Sequence, residues 1–286
     1  MKKFGIKVLL FACLLLITDQ LIGLGADWLR RHARGGNVLR ENYISDHTTA
    51  DLLIMGSSRA VHHYVPKILR DSLGMEAYNA GQDGCGIVYG YGKFCSFRNR
   101  YVPKILLWEF TPNFDIACSD NAQFLPLLRP YYDYPGVDSV FLWVNPAERF
   151  KMYSRTYRYN SRIFNLLNDF RQENTLPKDG YMPNPGQMNY EPDITEPDTV
   201  LQPNPVKLHC MKQLIAATRG RCKLIVLMSP RYLPQGYKGR TQHPAIEYMK
   251  NLCKQEGIPF LDHYNDPNFI GRKELFKDPM HLNTQG

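Results

Sequence analysis

Asp51-Leu52-Leu53-Ile54-Met55-Gly56-Ser57-Ser58-Arg59 is an unbroken apolar run that ends in glycine and then in two serines. A short apolar run without polar alternation is the pattern of a strand buried on both faces of a parallel sheet. Such sheets present their working side chains at the carboxyl ends of the strands. The Gly-Ser-Ser turn therefore falls where chemistry is expected, and a serine held at a strand-to-turn junction can act as a nucleophile. By itself this tripeptide is an ordinary turn.

The same pattern repeats along the chain. Pro66 to Leu73, closed by Gly74, predicts a short helix with proline in its first turn and glycine past its end. Glu76 to Gly81 and Ile105 to Thr111 predict the second and third strands. Pro205 to Thr218 has helical apolar spacing, Lys223 to Ser229 predicts a fourth strand, and Pro244 to Gln255 a further helix before Gly257. Pro259 to Asp262 closes the series as a short fifth strand. Strands alternating with helices predict an α/β domain, residues 51–286, with a parallel sheet between helical layers. Residues 114–204 interrupt it with an insertion rich in Tyr, Pro, Asn and Arg. A connection this long predicts a lid or binding surface. One or two amphipathic helices are expected within Val140 to Phe170.

The chain has 286 residues, 44% hydrophobic and 22% charged, enough for one large domain that needs neither disulfides nor metal. A net charge of +8 favours acidic partners such as anionic headgroups or glycans. The basic residues are scattered and form no nucleic-acid motif, so no nucleic-acid partner is expected. Met1-Lys2-Lys3 precedes a mostly apolar stretch from Phe4 to Ala26, interrupted at Lys7 and Asp19. We read residues 1–26 as an uncleaved signal anchor rather than a cleaved signal or a core helix. Residues 27–50 read as a polar linker. Cys85, Cys95, Cys118, Cys210, Cys222 and Cys253 allow either one or two disulfides or six small buried side chains.

Near the end lies Asp278-Pro279-Met280-His281-Leu282-Asn283. A carboxylate three residues before a histidine can orient the imidazole through one ring nitrogen, leaving the other to take a proton from a hydroxyl. A serine just after the first strand, combined with a late Asp-x-x-His, resembles the SGNH/GDSL hydrolase superfamily. Gly-Ser-Ser-Arg together with the closing block is most similar to its DltD-type exported branch. Ser57 stands where the usual motif has aspartate. The insertion matches no motif of that family.

The resemblance implies a flavodoxin-like three-layer α/β/α fold with a five-stranded parallel sheet. It also implies Ser58 as nucleophile, His281 as general base and then acid, and Asp278 as the group that fixes the imidazole. Family members receive the oxyanion on a glycine after strand two and an asparagine after strand three. Gly84 is the first choice here and Gly81 the second, with Asn113 as the asparagine, although it lacks the usual Gly-x-Asn context. Arg59 either binds an anionic substrate group or forms a structural ion pair. Tyr153 to Arg162 either stacks on sugars and phosphates or packs its tyrosines on the domain. His62 and His63, being adjacent, point different ways and make a poor metal pair, so no metal is expected. The glycines from 81 to 92 are not followed by Gly-Lys-Ser/Thr, so no nucleotide cofactor is expected either. The function implied is an esterase or O-acyltransferase on an acyl ester of an envelope glycan or lipid, held on the inner membrane and facing the periplasm or exterior. The alternative is a catalytically silent envelope-assembly or glycan-binding protein.

Overall fold

The computed structural model describes residues 1–117, 121–173, 178–194, 201–238 and 243–286. The chain begins with α1 (Lys2–Arg31) and α2 (Gly36–Asn42), then enters the sheet through β1 (Leu52–Gly56). There follow α3 (Ser58–His63), α4 (Pro66–Leu73), β2 (Ala77–Asn79), α5 (Ile87–Phe97) and β3 (Ile105–Glu109). The insertion contributes α6 (Val137–Val144), α7 (Glu148–Lys151), α8 (Arg155–Arg158) and α9 (Ile163–Arg171). The chain returns through α10 (Pro205–Thr218), β4 (Lys223–Met228), α11 (Pro244–Glu256) and β5 (Phe260–Asp262), and then forms a hairpin of β6 (Phe276–Asp278) and β7 (His281–Leu282).

β1 is buried along its whole length. Leu53 and Met55 face one hydrophobic cluster, Leu52 and Ile54 the other, so both faces are covered and no polar alternation is tolerated. Each such side chain contributes about 1.5–3 kcal/mol relative to exposure. Leu53, Leu106, Trp108 and Val226 meet α5 and α10 on the first face, while Ala60 and Leu69 bring α3 and α4 to the second. The sheet is five-stranded in the order β2-β1-β3-β4-β5, all parallel, and makes the middle layer of an α/β/α sandwich. From β1 the chain crosses to one side to make β2, then returns past β1 to make β3. Right-handed crossovers then put the connecting helices on opposite faces and leave a crevice at the carboxyl ends of β1 and β3.

Residues 27–50, expected as a linker, are folded. Val38, Arg40, Glu41, Asn42, Ile44 and Ser45 are buried there. The Lys93 ammonium lies 2.5 Å from Glu41 and donates to its carbonyl at 2.9 Å, which ties α2 to α5. The polar side chains that suggested a tether are thus internal partners.

α1 divides at Asp19. Its apolar side chains from Phe4 to Ile17 are exposed, whereas Gly23, Ala26 and Arg30 are buried against the domain. It is the one helix among the described residues long and apolar enough to cross a membrane. The six cysteines in the described residues are free thiols, and Cys85, Cys95, Cys210 and Cys253 are buried. Burial pushes Cys210 and Cys253 up to about 12, so they behave as small inert side chains. Cys118 lies outside the described residues.

Candidate active site

Ser58 opens α3 directly after β1, and the backbone reason is Gly56. Its φ of 142° lies outside the range that side chains favour, and a Cβ there would sit 2.6 Å from the Glu109 carbonyl oxygen. The chain can therefore turn sharply from strand to helix and leave Ser58 half-buried at the sheet edge. Its Oγ lies 2.7 Å from His281 Nε2. His281 Nδ1 lies 2.9 Å from both oxygens of Asp278. A carboxylate only accepts, so Nδ1 carries the proton and Nε2 is left to accept from the Ser58 hydroxyl. Burial opposes ionisation of Asp278, but the His281 ring and the Met280 amide hold its carboxyl below the usual range.

Asp278 and His281 face each other across the β6–β7 hairpin, with the Met280 and His281 amides donating to Asp278 at 2.9 and 3.0 Å. This hairpin is seated on α3, because the Leu282 amide donates to His63 Nε2 at 3.0 Å. Residues 178–194 hold it from the other side. The Met188 amide donates to the Phe276 carbonyl, and Asn184 Nδ2 to the Leu282 carbonyl. Met188, Tyr232, Leu275, Phe276 and Leu282 form a small core of their own beneath it. This part of the insertion, expected as lid or binding surface, serves as a strap for the hairpin.

The loops after β2 and β3 flank Ser58. The Gly81 amide donates to Asn79 Oδ1 at 3.1 Å, in a buried contact. That engagement removes it as a free donor. Gly84 is exposed with φ 65°, and no acceptor for its amide occurs among the described residues. Asn113 begins a turn of π-helix, Asn113–Ala117, with its side chain exposed and its carbonyl accepting from Lys207 at 3.1 Å. Ser58 is the first residue of α3, and its own amide has no intrahelical acceptor.

Arg59 is not on the surface. It is 2% exposed, with Nε 3.2 Å from Glu109 Oε1 and Nη2 donating to the Phe110 carbonyl at 2.5 Å. The structural ion pair is therefore the correct reading, and the guanidinium does not reach substrate. It points toward Glu109 at the end of β3, about 100° around α3 from Ser58. Glu109 also accepts from Tyr64 and from the Ser229 amide. Burial raises the Glu109 carboxyl, with Arg59 working against it.

Three polar residues near Ser58 were not anticipated. His62, one turn beyond Ser58 on α3, places Nδ1 2.8 Å from the Met182 carbonyl and Nε2 3.1 Å from Asp83 Oδ1. Both partners are acceptors, an arrangement that favours the doubly protonated ring. The Asp83 contact raises its pKa, while the same contact lowers that of Asp83. The pair pins the loop that carries Gly84. His63, by contrast, accepts through Nε2 and is held neutral by burial and by the nearby Arg59. The His62 and His281 rings meet edge to face, centroids 6.3 Å apart. His62 and His63 follow Ser58 by four and five residues, but that spacing alone does not reveal their partners Asp83 and Leu282. No cluster of His, Cys, Asp and Glu suited to a metal occurs among the described residues.

A hydroxyl, an imidazole and a carboxylate in this order can transfer the hydroxyl proton as the oxygen attacks an electrophile. Compared with known proteins, the chain matches no family model and no curated sequence.

Proposed function

We propose that this chain is an exported SGNH-type serine esterase or O-acyltransferase, working on an acyl ester of an envelope glycan or lipid through an acyl-Ser58 intermediate. The observation that carries the proposal is the relay Ser58–His281–Asp278, at 2.7 and 2.9 Å, assembled from opposite ends of the domain. In the first step Ser58 Oγ attacks the ester carbonyl while its proton passes to Nε2. The Ser58 and Gly84 amides and the Asn113 side chain receive the developing oxyanion, an arrangement in which each donor is worth roughly 3–4 kcal/mol. Collapse expels the leaving alkoxide, which takes the proton from His281. Water or an acceptor hydroxyl, deprotonated by Nε2, then takes the acyl group and restores Ser58.

The setting of the site favours a large substrate. Gly84, Asn113 and Met280 are exposed on the three loops around a half-buried Ser58. That openness suits an ester carried on a polymer or lipid better than an enclosed small metabolite. The test is to mix the protein with p-nitrophenyl acetate, quench in acid and map the peptides by mass. An acetyl group on the peptide holding Ser58 is expected. Release of nitrophenol with no acyl adduct at any time point would contradict a covalent route. Faster turnover on adding an acceptor glycan distinguishes transfer from hydrolysis.

A further inference from the structure

The anchor helix does not hang from the domain by a flexible tether. Asp19 accepts from Ser154 Oγ at 2.6 Å, the Arg155 amide at 2.9 Å and the Thr156 amide at 3.2 Å. One turn further on, Gly23 packs directly on Arg155, where a Cβ would collide with that residue's own Cβ. Asp27 then accepts from Tyr159 at 2.8 Å, and Arg30 donates to Asn42 at 2.8 Å. Four contacts over three helical turns fix the height of the domain along α1.

That height overlaps the membrane. Phe4 to Leu24 spans about 30 Å at about 1.5 Å per residue, the thickness of a hydrocarbon core. Asp19 lies about 7 Å inside its upper end. A carboxylate tolerates that depth when its oxygens are occupied, and here α8 occupies them. Leu21, Ile22, Leu24 and Trp28 of α1 remain exposed, so the apolar surface runs about 14 Å past Asp19. The edge formed by α7, α8 and α9 therefore reaches the level of the headgroups. Among the described residues outside α1, the three most exposed large apolar side chains are Phe150 at 72%, Tyr153 at 70% and Phe164 at 82%, and all lie on this edge. Arg149 and Lys151 flank Phe150 and are exposed. Aromatic side chains beside basic ones are the composition of a surface seated in an anionic interface.

We propose that α7–α9 form a second membrane contact, with Phe150, Tyr153 and Phe164 inserted among anionic lipid headgroups beside the anchor. The domain then rides on the bilayer in one orientation. This contact is independent of the chemistry at Ser58.

The test uses the full chain with Cys13→Ser, Cys118→Ser and Cys222→Ser, carrying a single environment-sensitive label at Leu10→Cys, Phe164→Cys or Leu261→Cys. It is reconstituted at one copy per vesicle in phosphatidylcholine and phosphatidylglycerol containing a nitroxide-labelled lipid. Strong quenching at position 10 and quenching at 164 about twice that at 261 on the edge strand are expected. Quenching at 10 with 164 no different from 261 overturns the contact and leaves the anchor standing. Shielding of 164 from aqueous iodide without lipid quenching identifies a protein partner or second copy instead, and also overturns it. An unquenched label at 10 removes anchor and contact together.

Discussion

Replacing Asp278 by Asn changes one atom and two properties of the relay. The charge 2.9 Å from His281 Nδ1 disappears. The new amide, if its oxygen keeps the Met280 and His281 amides, turns an N–H toward Nδ1. Two donors cannot face each other, so the ring adopts the other tautomer, and Nε2 becomes a donor unable to take the Ser58 proton. A charge pair about 4 Å apart near a protein surface contributes about 4 kcal/mol. The Asp278 side chain is 38% exposed, and solvent screening brings the figure to about 2 kcal/mol. That alone slows acylation about 30-fold, and the tautomer change carries the loss toward about 10⁴-fold. The assay is the burst of nitrophenol from p-nitrophenyl acetate in a stopped-flow instrument, with circular dichroism to show an intact fold. A loss under about fivefold in a folded Asp278→Asn protein would refute the reasoning, because neither the charge nor the tautomer would then matter.

Three other perturbations have defined outcomes. Glu109→Gln strands the buried Arg59 guanidinium and should cost about 3–5 kcal/mol in urea denaturation, whereas Arg59→Met with Glu109→Leu should cost less. The His62–Asp83 clamp is whole between the depressed Asp83 value and the raised His62 value. The His62 contribution is complete below the ordinary histidine pKa and is lost as pH rises through its folded value. The Asp83 contribution is complete above the ordinary carboxylate value and is lost as pH falls through its folded one. If the clamp positions the Gly84 loop, hydrolysis of p-nitrophenyl acetate should fall as pH rises through the raised His62 value, and His62→Gln should lose that dependence; a pH profile identical in the two proteins would exclude the role. Asp19→Ala leaves the α8 amides without their acceptor and should lower unfolding free energy by about 1–2 kcal/mol, with new proteolysis near α8.

The sheet was legible because both-face burial writes uninterrupted apolar runs. Leu52–Gly56, Ile105–Glu109 and Lys223–Met228 each sit within a residue or two of where those runs predict them. α4 and α11 were equally plain, since Gly74 and Gly257 adopt the left-handed conformation that ends each helix. α5 was not legible. Gly90 and Gly92 weaken its helical pattern, and they are present because Trp108 and Leu128 pack where their side chains would be. α2 was hidden for a different reason, as Arg40, Glu41 and Asn42 read as solvated residues until the Asn79 carbonyl takes up Arg40, Lys93 and Tyr89 take up Glu41, and Arg30 takes up Asn42. At the site, Ser58, Asp278 and His281 stood out only in combination, through the resemblance that the serine after the first strand and the late Asp-x-x-His carry together. Arg59 was ambiguous, because the sequence cannot say which side of a one-turn helix faces a buried Glu109. His62 and Asp83 gave no local pattern, since their pairing exists only once β2 lies beside β1.

The most direct measurement is labelling of the full chain by a serine-directed fluorophosphonate. The account predicts a single adduct on the peptide that contains Ser58, absent in Ser58→Ala and strongly slowed in His281→Ala. Labelling that persists in Ser58→Ala, or that never occurs in the folded parent protein, would contradict it.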